Sequence, residues 1–176
     1  IYRGDSSVDF YRWCIARHPR ALLDLFGALP LLIGLALGRV EKTRAKQRFY
    51  RYLLFVPDVE AEVSAFWQTH ERKLKRWYLD AKRGDDIVIS ASPVFLLQPV
   101  CDRLGVRLIA SRVEAHTGVY DGLNCHDEEK VRRLREAFPD TEIDRFYSDS
   151  RSDAPMARIA REAYFVRDDA LTPFPL

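Results

Sequence analysis

The sequence has little cysteine, and its three cysteines are widely separated. Cys14, Cys101 and Cys125 form no CxxC pair in a chain of 176 residues. An odd and scattered set argues against a disulfide framework and against a structural zinc site, and it favours a reducing compartment. The sequence also has no segment with the pattern of a secretory signal peptide. We therefore expect a cytoplasmic protein.

Neither sign of charge predominates. Lys and Arg number 28 and Asp and Glu number 26, so the formal net charge is +2. Nucleic-acid-binding domains are usually strongly basic, and this balance argues against nucleic acid as a partner. The composition, 47% hydrophobic and 31% charged, is typical of a globular chain. The length is that of one domain, or of one core domain with a small insertion.

One apolar stretch, residues 21–38, approaches the length of a membrane span, but Asp24, Gly27 and Pro30 interrupt it. We favour a buried helical hairpin, and membrane contact through 21–38 stays the less favoured alternative. A basic stretch follows, interleaved with aromatic and aliphatic residues. It predicts an amphipathic helix with a solvated basic face, although Arg44, Arg48 and Arg51 could instead meet an anionic group of a substrate.

The sequence pattern changes near Gly84. Residues 6–83 show helical patterns, with Ser6 and Ser7 as predicted caps of the first helix and Asp58 as cap of a long helix ending near Gly84. Beyond Gly84, strands and helices alternate, which predicts an α/β fold with a parallel sheet. The predicted strands are 87–89, 106–110, 143–147 and 163–166, the predicted helices are 92–105, 128–138 and 155–162, and 113–123 is a hairpin or loop.

Ligands of open α/β sheets bind beyond the carboxyl ends of the strands. The first strand ends in Ser90-Ala91-Ser92 at the start of a helix, where a hydroxyl and backbone N–H groups suit a phosphate. We interpret Ser92 as a helix cap and Ser90 as the better binding candidate. The third strand is followed by Asp149 and Asp153, carboxylates that suit Mg²⁺. Asp153 is also an ordinary N-cap candidate.

Lys130 lies in the first turn of its predicted helix. A positive charge there opposes the helix dipole, which Glu128 and Glu129 complement. A broken local rule of this kind is a mild indication of function. A nucleophile at Cys125-His126 is a much less favoured hypothesis, because adjacent side chains seldom face each other.

In order and spacing, these residues resemble the motifs of the haloacid dehalogenase superfamily of phosphohydrolases. Ser90 in VISAS resembles the second motif, Lys130 in HDEEKVRRL the third, and Asp149 and Asp153 in YSDSRSD the fourth. The early helical segment resembles the small cap of the phosphoserine-phosphatase-like branch. The resemblance implies a Rossmann-like core formed by residues 1–5 and 84–176, with a helical cap formed by residues 6–83.

The first motif of that family, DxDxT, is not in this sequence. Ile1 to Ser6 resembles the stretch that follows the motif in family members. We therefore expect about ten further residues upstream, which would form a central strand between those ending at Ser90 and Asp149. The alternative is a catalytically inactive binding protein that has lost its nucleophile.

The resemblance implies Mg²⁺-dependent hydrolysis of a small phosphomonoester through an aspartyl-phosphate on the upstream Asp. It implies that Asp149 holds the metal and that Lys130 neutralises charge. Ser90 and the backbone at Ala91 would bind phosphate, while Asp153 would support the metal or Lys130. Asp5 would face the leaving group. A membrane-associated lipid-phosphate phosphatase, suggested by residues 21–38, is a further alternative.

Overall fold

The computed structural model describes residues 1–22 and 48–176. In the first part of these ranges lie the helices α1 (Ser6–Arg17), α2 (Val59–His70) and α3 (Arg76–Ala81). Short 3-10 helices occupy Pro19–Leu22, Tyr50–Phe55 and Glu71–Lys73. The predicted helical character of this half is thus confirmed where it is described. Most of the apolar segment 21–38 and of the basic stretch 42–51 lies outside the described residues.

Helix α1 begins one residue earlier than its predicted serine caps. Asp5 is the N-cap, and its Oδ1 accepts hydrogen bonds from the backbone N–H groups of Ser7 at 2.8 Å and Val8 at 3.1 Å. A carboxylate at this position satisfies donors that the first turn leaves unpaired, and it also complements the helix dipole. The prediction that Ser6 and Ser7 cap the helix is wrong, and their hydroxyl groups are free for other contacts.

The long helix predicted between Asp58 and Gly84 is interrupted. Asp58 caps it as predicted, but α2 ends at His70 and the chain becomes extended near Leu74 before α3. There the first residues of the chain pair with it: Arg3 N–H donates to the Lys73 carbonyl, and Lys75 N–H donates to the Ile1 carbonyl. Local helical periodicity cannot reveal a partner 70 residues away.

The second half alternates strand and helix, as expected. Its elements in chain order are β1 (Ile87–Pro93), α4 (Val94–Leu104), β2 (Arg107–Ser111), α5 (Glu128–Ala137), β3 (Ile143–Ser148), α6 (Ala154–Arg158), β4 (Ala160–Arg167) and β5 (Ala170–Pro173). The β1–β2 and β3–β4 pairs are parallel. The predicted class, an α/β fold with a Rossmann-like parallel core, is confirmed.

Two details of this half differ from the sequence prediction. The helix predicted over 155–162 ends at Arg158, because Ala160 already pairs with Ile143 in the sheet. Strand β5 was not predicted, and it returns antiparallel to β4 through a turn in which Asp168 has a φ of 53°. Both features depend on pairing with another strand rather than on local periodicity.

The strands form two sheets, β1–β2 and β3–β4–β5. Within the described ranges, β1 pairs only with β2, and β3 pairs only with β4. Their other edges expose backbone donors and acceptors that a further strand could satisfy. The expected strand between β1 and β3 is compatible with this arrangement and stays a prediction.

One hydrophobic core joins the helical half to the first sheet. Phe66 and Trp67 of α2 are buried with Leu96 of α4 and Phe10 of α1. The Trp67 Nε1–H also donates to the Leu96 carbonyl at 2.6 Å. Helices α1 and α2 are therefore fixed on the α/β half, and the boundary predicted at residue 83 stays a prediction. In the described ranges, no helix is long and apolar enough to cross a bilayer.

Candidate functional site

Lys130 and Asp153 form a buried ion pair. The Lys130 Nζ lies 2.6 Å from Asp153 Oδ1, and the two side chains are 9% and 8% exposed. Their elements, α5 and the turn before α6, pack against each other, which brings together residues 23 positions apart. A pair of this kind persists only where its desolvation is offset by close geometry and by further hydrogen bonds.

Ser148, the last residue of β3, supplies one such hydrogen bond. Its hydroxyl donates to Asp153 Oδ2 at 2.6 Å and accepts the Ser150 N–H at 3.1 Å. Asp153 stands at the N-cap position of α6, yet its carboxylate makes no capping hydrogen bond there. Asp153 thus occupies the predicted N-cap position, but its charge is directed to Lys130 and Ser148 instead of to the first turn of α6.

Asp149 lies beside this pair in sequence and lines a cavity of about 620 Å³ at the carboxyl ends of β3 and β4. The other walls come from the start of the chain, from the residue before α3, and from the β4–β5 turn. In this wall, the Lys75 ammonium donates to the Asp168 carbonyl at 2.5 Å, and Arg3 pairs with Asp169 at 2.9 Å. The cavity is therefore lined by charges of both signs.

The segment at the start of the chain connects this cavity to the end of β1. Tyr2, Arg3 and Gly4 line the cavity, and Ser7 donates to the Ser92 hydroxyl at 3.0 Å. Gly4 has a φ of 90°, which glycine adopts without strain. Ser7 follows Gly4 by three positions, which span at most about 11 Å of chain. The start of the chain thus contacts both the end of β1 and the cavity beside the end of β3.

Ser90 and Ser92 are held by hydrogen bonds that the sequence did not indicate. The Ser92 N–H donates to Ser90 Oγ at 3.1 Å, while the Ser92 hydroxyl meets Ser7. Helix α4 begins at Val94 after an N-cap at Pro93 that makes no side-chain capping bond. The prediction that Ser92 caps this helix is wrong, because its hydroxyl is turned toward α1 instead.

The remaining candidates have different surroundings. Asp5 is bound to the first turn of α1, and Ala91 lies in β1 between the register positions of Ser90 and Pro93. Cys125 is fully buried, and burial raises the pKa of its thiol, which opposes a role as nucleophile. In the described ranges, no group of three or more His, Cys, Asp or Glu side chains is placed to hold a metal.

Sequence reasoning missed several of these residues. Ser148 could have been noticed, since it immediately precedes Asp149 at the strand end. Lys75, Arg3 and Ser7 gave no local signal, because each contact depends on chain pairing over more than 60 residues.

The fold defines the class of this protein: a Rossmann-like α/β chain with a buried ion pair held at the end of β3 and a charged cavity at the carboxyl ends of β3 and β4. A family model for haloacid dehalogenase-like hydrolases matches residues 1–158. The chain therefore belongs to the haloacid dehalogenase superfamily, as its motifs predicted.

Relatives support the same family. The chain is 30% identical to Protein CicA of Caulobacter vibrioides over 177 aligned positions, which cover 90% of this chain and 78% of that protein. It is 33% identical to a histidinol-phosphatase of Neisseria meningitidis over 101 positions, covering 49% and 46% of the two chains. A crystal structure of a protein of unknown function from Bordetella pertussis Tohama I has the same fold. That structure aligns with a TM-score of 0.74 at 22% identity, covering 92% of this chain and 83% of the other.

Proposed function

We propose that this chain is the greater part of a Mg²⁺-dependent phosphatase that hydrolyses a small phosphorylated metabolite through an aspartyl-phosphate intermediate. Membership of a hydrolase family supports hydrolysis, and a relative described as a phosphatase supports a phosphate ester as substrate. The observation that carries the proposal is the buried Lys130–Asp153 pair, which the Ser148 hydroxyl ties to the end of β3, next to Asp149 in the cavity wall. A buried ammonium in the first turn of α5, held by a carboxylate beside the end of β3, is suited to an anion.

The nucleophile in this proposal is an Asp upstream of Ile1, on a strand between β1 and β3. Among the described residues, β1 and β3 are each paired along one edge only, which supports it, since a strand between them would complete a continuous sheet. Its carboxyl end would reach the region that Ser90 and Asp149 border. The nucleophilic carboxylate attacks phosphorus, and the ester oxygen leaves as an alcohol after protonation. Water then attacks the aspartyl-phosphate and releases inorganic phosphate.

Lys130 is proposed to neutralise charge on the nucleophile and on the phosphate. Its ammonium has three N–H donors, and the described residues give it one close partner, Asp153. The remaining donors are proposed to meet oxygen atoms of the nucleophile and of the phosphate. Asp153, fixed by the Ser148 hydroxyl, holds the ammonium in place. Ser90 and the backbone at Ala91 are proposed to donate to phosphate oxygens.

Asp149 is the proposed metal ligand. Mg²⁺ is usually bound by one or two protein carboxylates together with water and substrate phosphate oxygens. One carboxylate at the wall of an open cavity fits that requirement, and the upstream motif would supply the others. When bound, the metal would offset charge repulsion between the nucleophile and the phosphate.

The proposed substrate is a small, charged phosphomonoester. The cavity wall offers Arg3, Lys75 and Arg167 beside Asp168 and Asp169, a lining that suits a polar leaving group rather than a lipid chain. Asp5 is proposed to lie near that leaving group, although its Oδ1 also caps α1. The three cysteines are free and buried, which fits the proposed cytoplasmic location.

Turnover of p-nitrophenyl phosphate by the full-length protein, with Mg²⁺ and with EDTA, tests the proposal. Asp149→Asn should abolish Mg²⁺-dependent turnover, whereas Asp153→Asn should reduce it less. Asp144→Asn is the matched control, because Asp144 lies on β3, which Asp149 directly follows, but is exposed and paired with Arg161. Equal and mild effects of the three variants would overturn the metal assignment.

Two further measurements on the full-length protein, binding of inorganic phosphate and turnover of phospholipid vesicles, separate the alternatives. A full-length protein that binds inorganic phosphate without turnover would be a catalytically inactive binding protein. Turnover confined to phospholipid vesicles would favour the membrane-associated lipid-phosphate phosphatase. Either result would replace the proposed metabolite phosphatase.

A further inference from the structure

A chain of hydroxyl groups runs from the helical half to the phosphate-binding candidate Ser90. The Tyr50 hydroxyl donates to Ser7 Oγ at 3.1 Å, and the Ser7 hydroxyl donates to Ser92 Oγ at 3.0 Å. The Ser92 N–H then donates to Ser90 Oγ at 3.1 Å. Tyr50 and Ser7 are 5% and 6% exposed, so the bond between them is shielded from competing water, and the two bonds of Ser92 are partly buried. The four residues come from three separate parts of the chain.

The donor and acceptor roles in these hydrogen bonds determine which hydroxyl hydrogens remain available. A hydroxyl has one hydrogen to donate, and Tyr50 and Ser7 have each used theirs within the chain. Ser90 Oγ accepts the Ser92 N–H, so its own hydrogen is left to donate elsewhere. A donor is what a phosphate oxygen requires. The Ser92 N–H therefore fixes the Ser90 oxygen and leaves the Ser90 hydrogen available to a phosphate oxygen.

The backbone at this point needs such support. The register of β1 on β2 is regular up to Ser90, which pairs with Ala110, and then shifts before Pro93. Ser92 therefore stands at an irregularity of the strand, where the regular ladder does not fix it. Its hydroxyl is held by Ser7, with Ser6 Oγ at a longer 3.4 Å.

Tyr50 is itself fixed by a loop of the α/β half. Gly118, with a φ of 71°, lies so close that a Cβ there would stand 2.4 Å from the Tyr50 carbonyl oxygen. The Tyr50 ring also lies 6.0 Å from that of Tyr120. The position of the Tyr50 hydroxyl is thus set by contacts on both sides.

We infer that Tyr50 and Ser7 are positioning residues for phosphate binding: through Ser92, they hold the Ser90 hydroxyl as a donor to the substrate phosphate. This inference rests on the proposed phosphatase function. It links the helical half to the phosphate site through side chains that make no contact with the substrate themselves.

The experiment measures kcat and KM for p-nitrophenyl phosphate, and the inhibition constant of inorganic phosphate, in the full-length protein. Ser90→Ala should weaken phosphate inhibition about 10- to 100-fold, the effect of a hydrogen bond to a charged group. Ser7→Ala and Tyr50→Phe should weaken it about three- to tenfold, with a matching rise in KM. Ser7→Thr keeps the hydroxyl and should restore most of the affinity.

Tyr52→Phe is the matched control. Tyr52 lies in the same 3-10 helix and is more deeply buried, but its hydroxyl has no hydrogen-bond partner among the described residues. Its variant should leave phosphate inhibition unchanged. Thermal unfolding of each variant separates a loss of fold from a loss of affinity. If Ser7→Ala does not fold, Tyr50→Phe and Ser7→Thr carry the comparison.

The outcomes separate this inference from the proposed function. If Ser90→Ala weakens phosphate binding while Tyr50→Phe and Ser7→Ala match Tyr52→Phe, the hydroxyl chain has no positioning role and the phosphatase proposal stands. If the full-length protein neither hydrolyses p-nitrophenyl phosphate nor binds phosphate, both are overturned.

Discussion

The buried Lys130–Asp153 pair gives the most direct prediction about stability. Lys130→Met removes the ammonium and leaves Asp153 as an uncompensated charge at 8% exposure. Breaking a buried pair in this way costs about 3–5 kcal/mol. Part of the cost, about 0.5 kcal/mol, is recovered because a positive charge in the first turn of α5 no longer opposes the helix dipole. We therefore expect Lys130→Met to lower the free energy of unfolding by about 2.5–4.5 kcal/mol.

The complementary variants form a double-mutant cycle. Asp153→Asn alone should also cost about 3–5 kcal/mol, because it leaves the ammonium buried without its partner. Lys130→Met with Asp153→Asn removes both charges and keeps an acceptor for the Ser148 hydroxyl. The double variant should therefore lie closer to the parent than either single variant does, which gives a large coupling energy.

Urea unfolding followed by circular dichroism measures these differences. For a chain of this length, the single variants should also lower the melting temperature by about 5–20 °C. Arg76 and Asp80 provide the control, an exposed ion pair whose side chains are 85% and 61% exposed. Arg76→Met and Asp80→Asn should each cost less than about 1 kcal/mol. If Lys130→Met costs no more than Arg76→Met, the pair is solvated in solution and the reasoning fails.

Three further predictions concern packing, pH and the contact between the two halves. Gly118→Ala should lower the free energy of unfolding by about 1–3 kcal/mol more than Gly105→Ala does, because both glycines have positive φ but only Gly118 faces a backbone atom. Equal losses of the two variants in urea unfolding would contradict this. Hydrogen bonds from Arg132, together with those from Arg133, lower the pKa of the Glu129 carboxyl to about 2. The stability that the ionised carboxylate gives to the fold is therefore present above about pH 4.5 and is lost as the pH falls toward 2. Glu129→Gln should flatten that part of the stability profile, and an unchanged acid limb would count against the pairing. Trp67→Phe removes the donor to the Leu96 carbonyl and should lower the free energy of unfolding by about 1–3 kcal/mol. A variant that unfolds at the same urea concentration as the parent would refute this.

The family and the order of the chemical groups could be predicted from the sequence. The sequence places Ser90 near the end of a strand and Asp149 directly after one, and it places Lys130 and Asp153 at the start of helices. Local apolar runs and turn residues mark such positions. The α/β class followed from the alternation beyond Gly84 for the same reason. The misplaced charge of Lys130 in a helix's first turn was visible as well, because the dipole rule is a local one.

Only the tertiary structure decided what these groups contact. The local sequence predicted Asp153 and Ser92 as helix caps. In the folded chain the Asp153 carboxylate contacts Lys130 instead, and the Ser92 hydroxyl contacts Ser7. The break near Leu74 and the cavity wall at Lys75 depend on pairing with the start of the chain. A capping motif involves neighbours within one turn, so the sequence can suggest it. A buried ion pair or a hydroxyl chain joins distant segments, and its free energy is gained only when the whole fold brings them together.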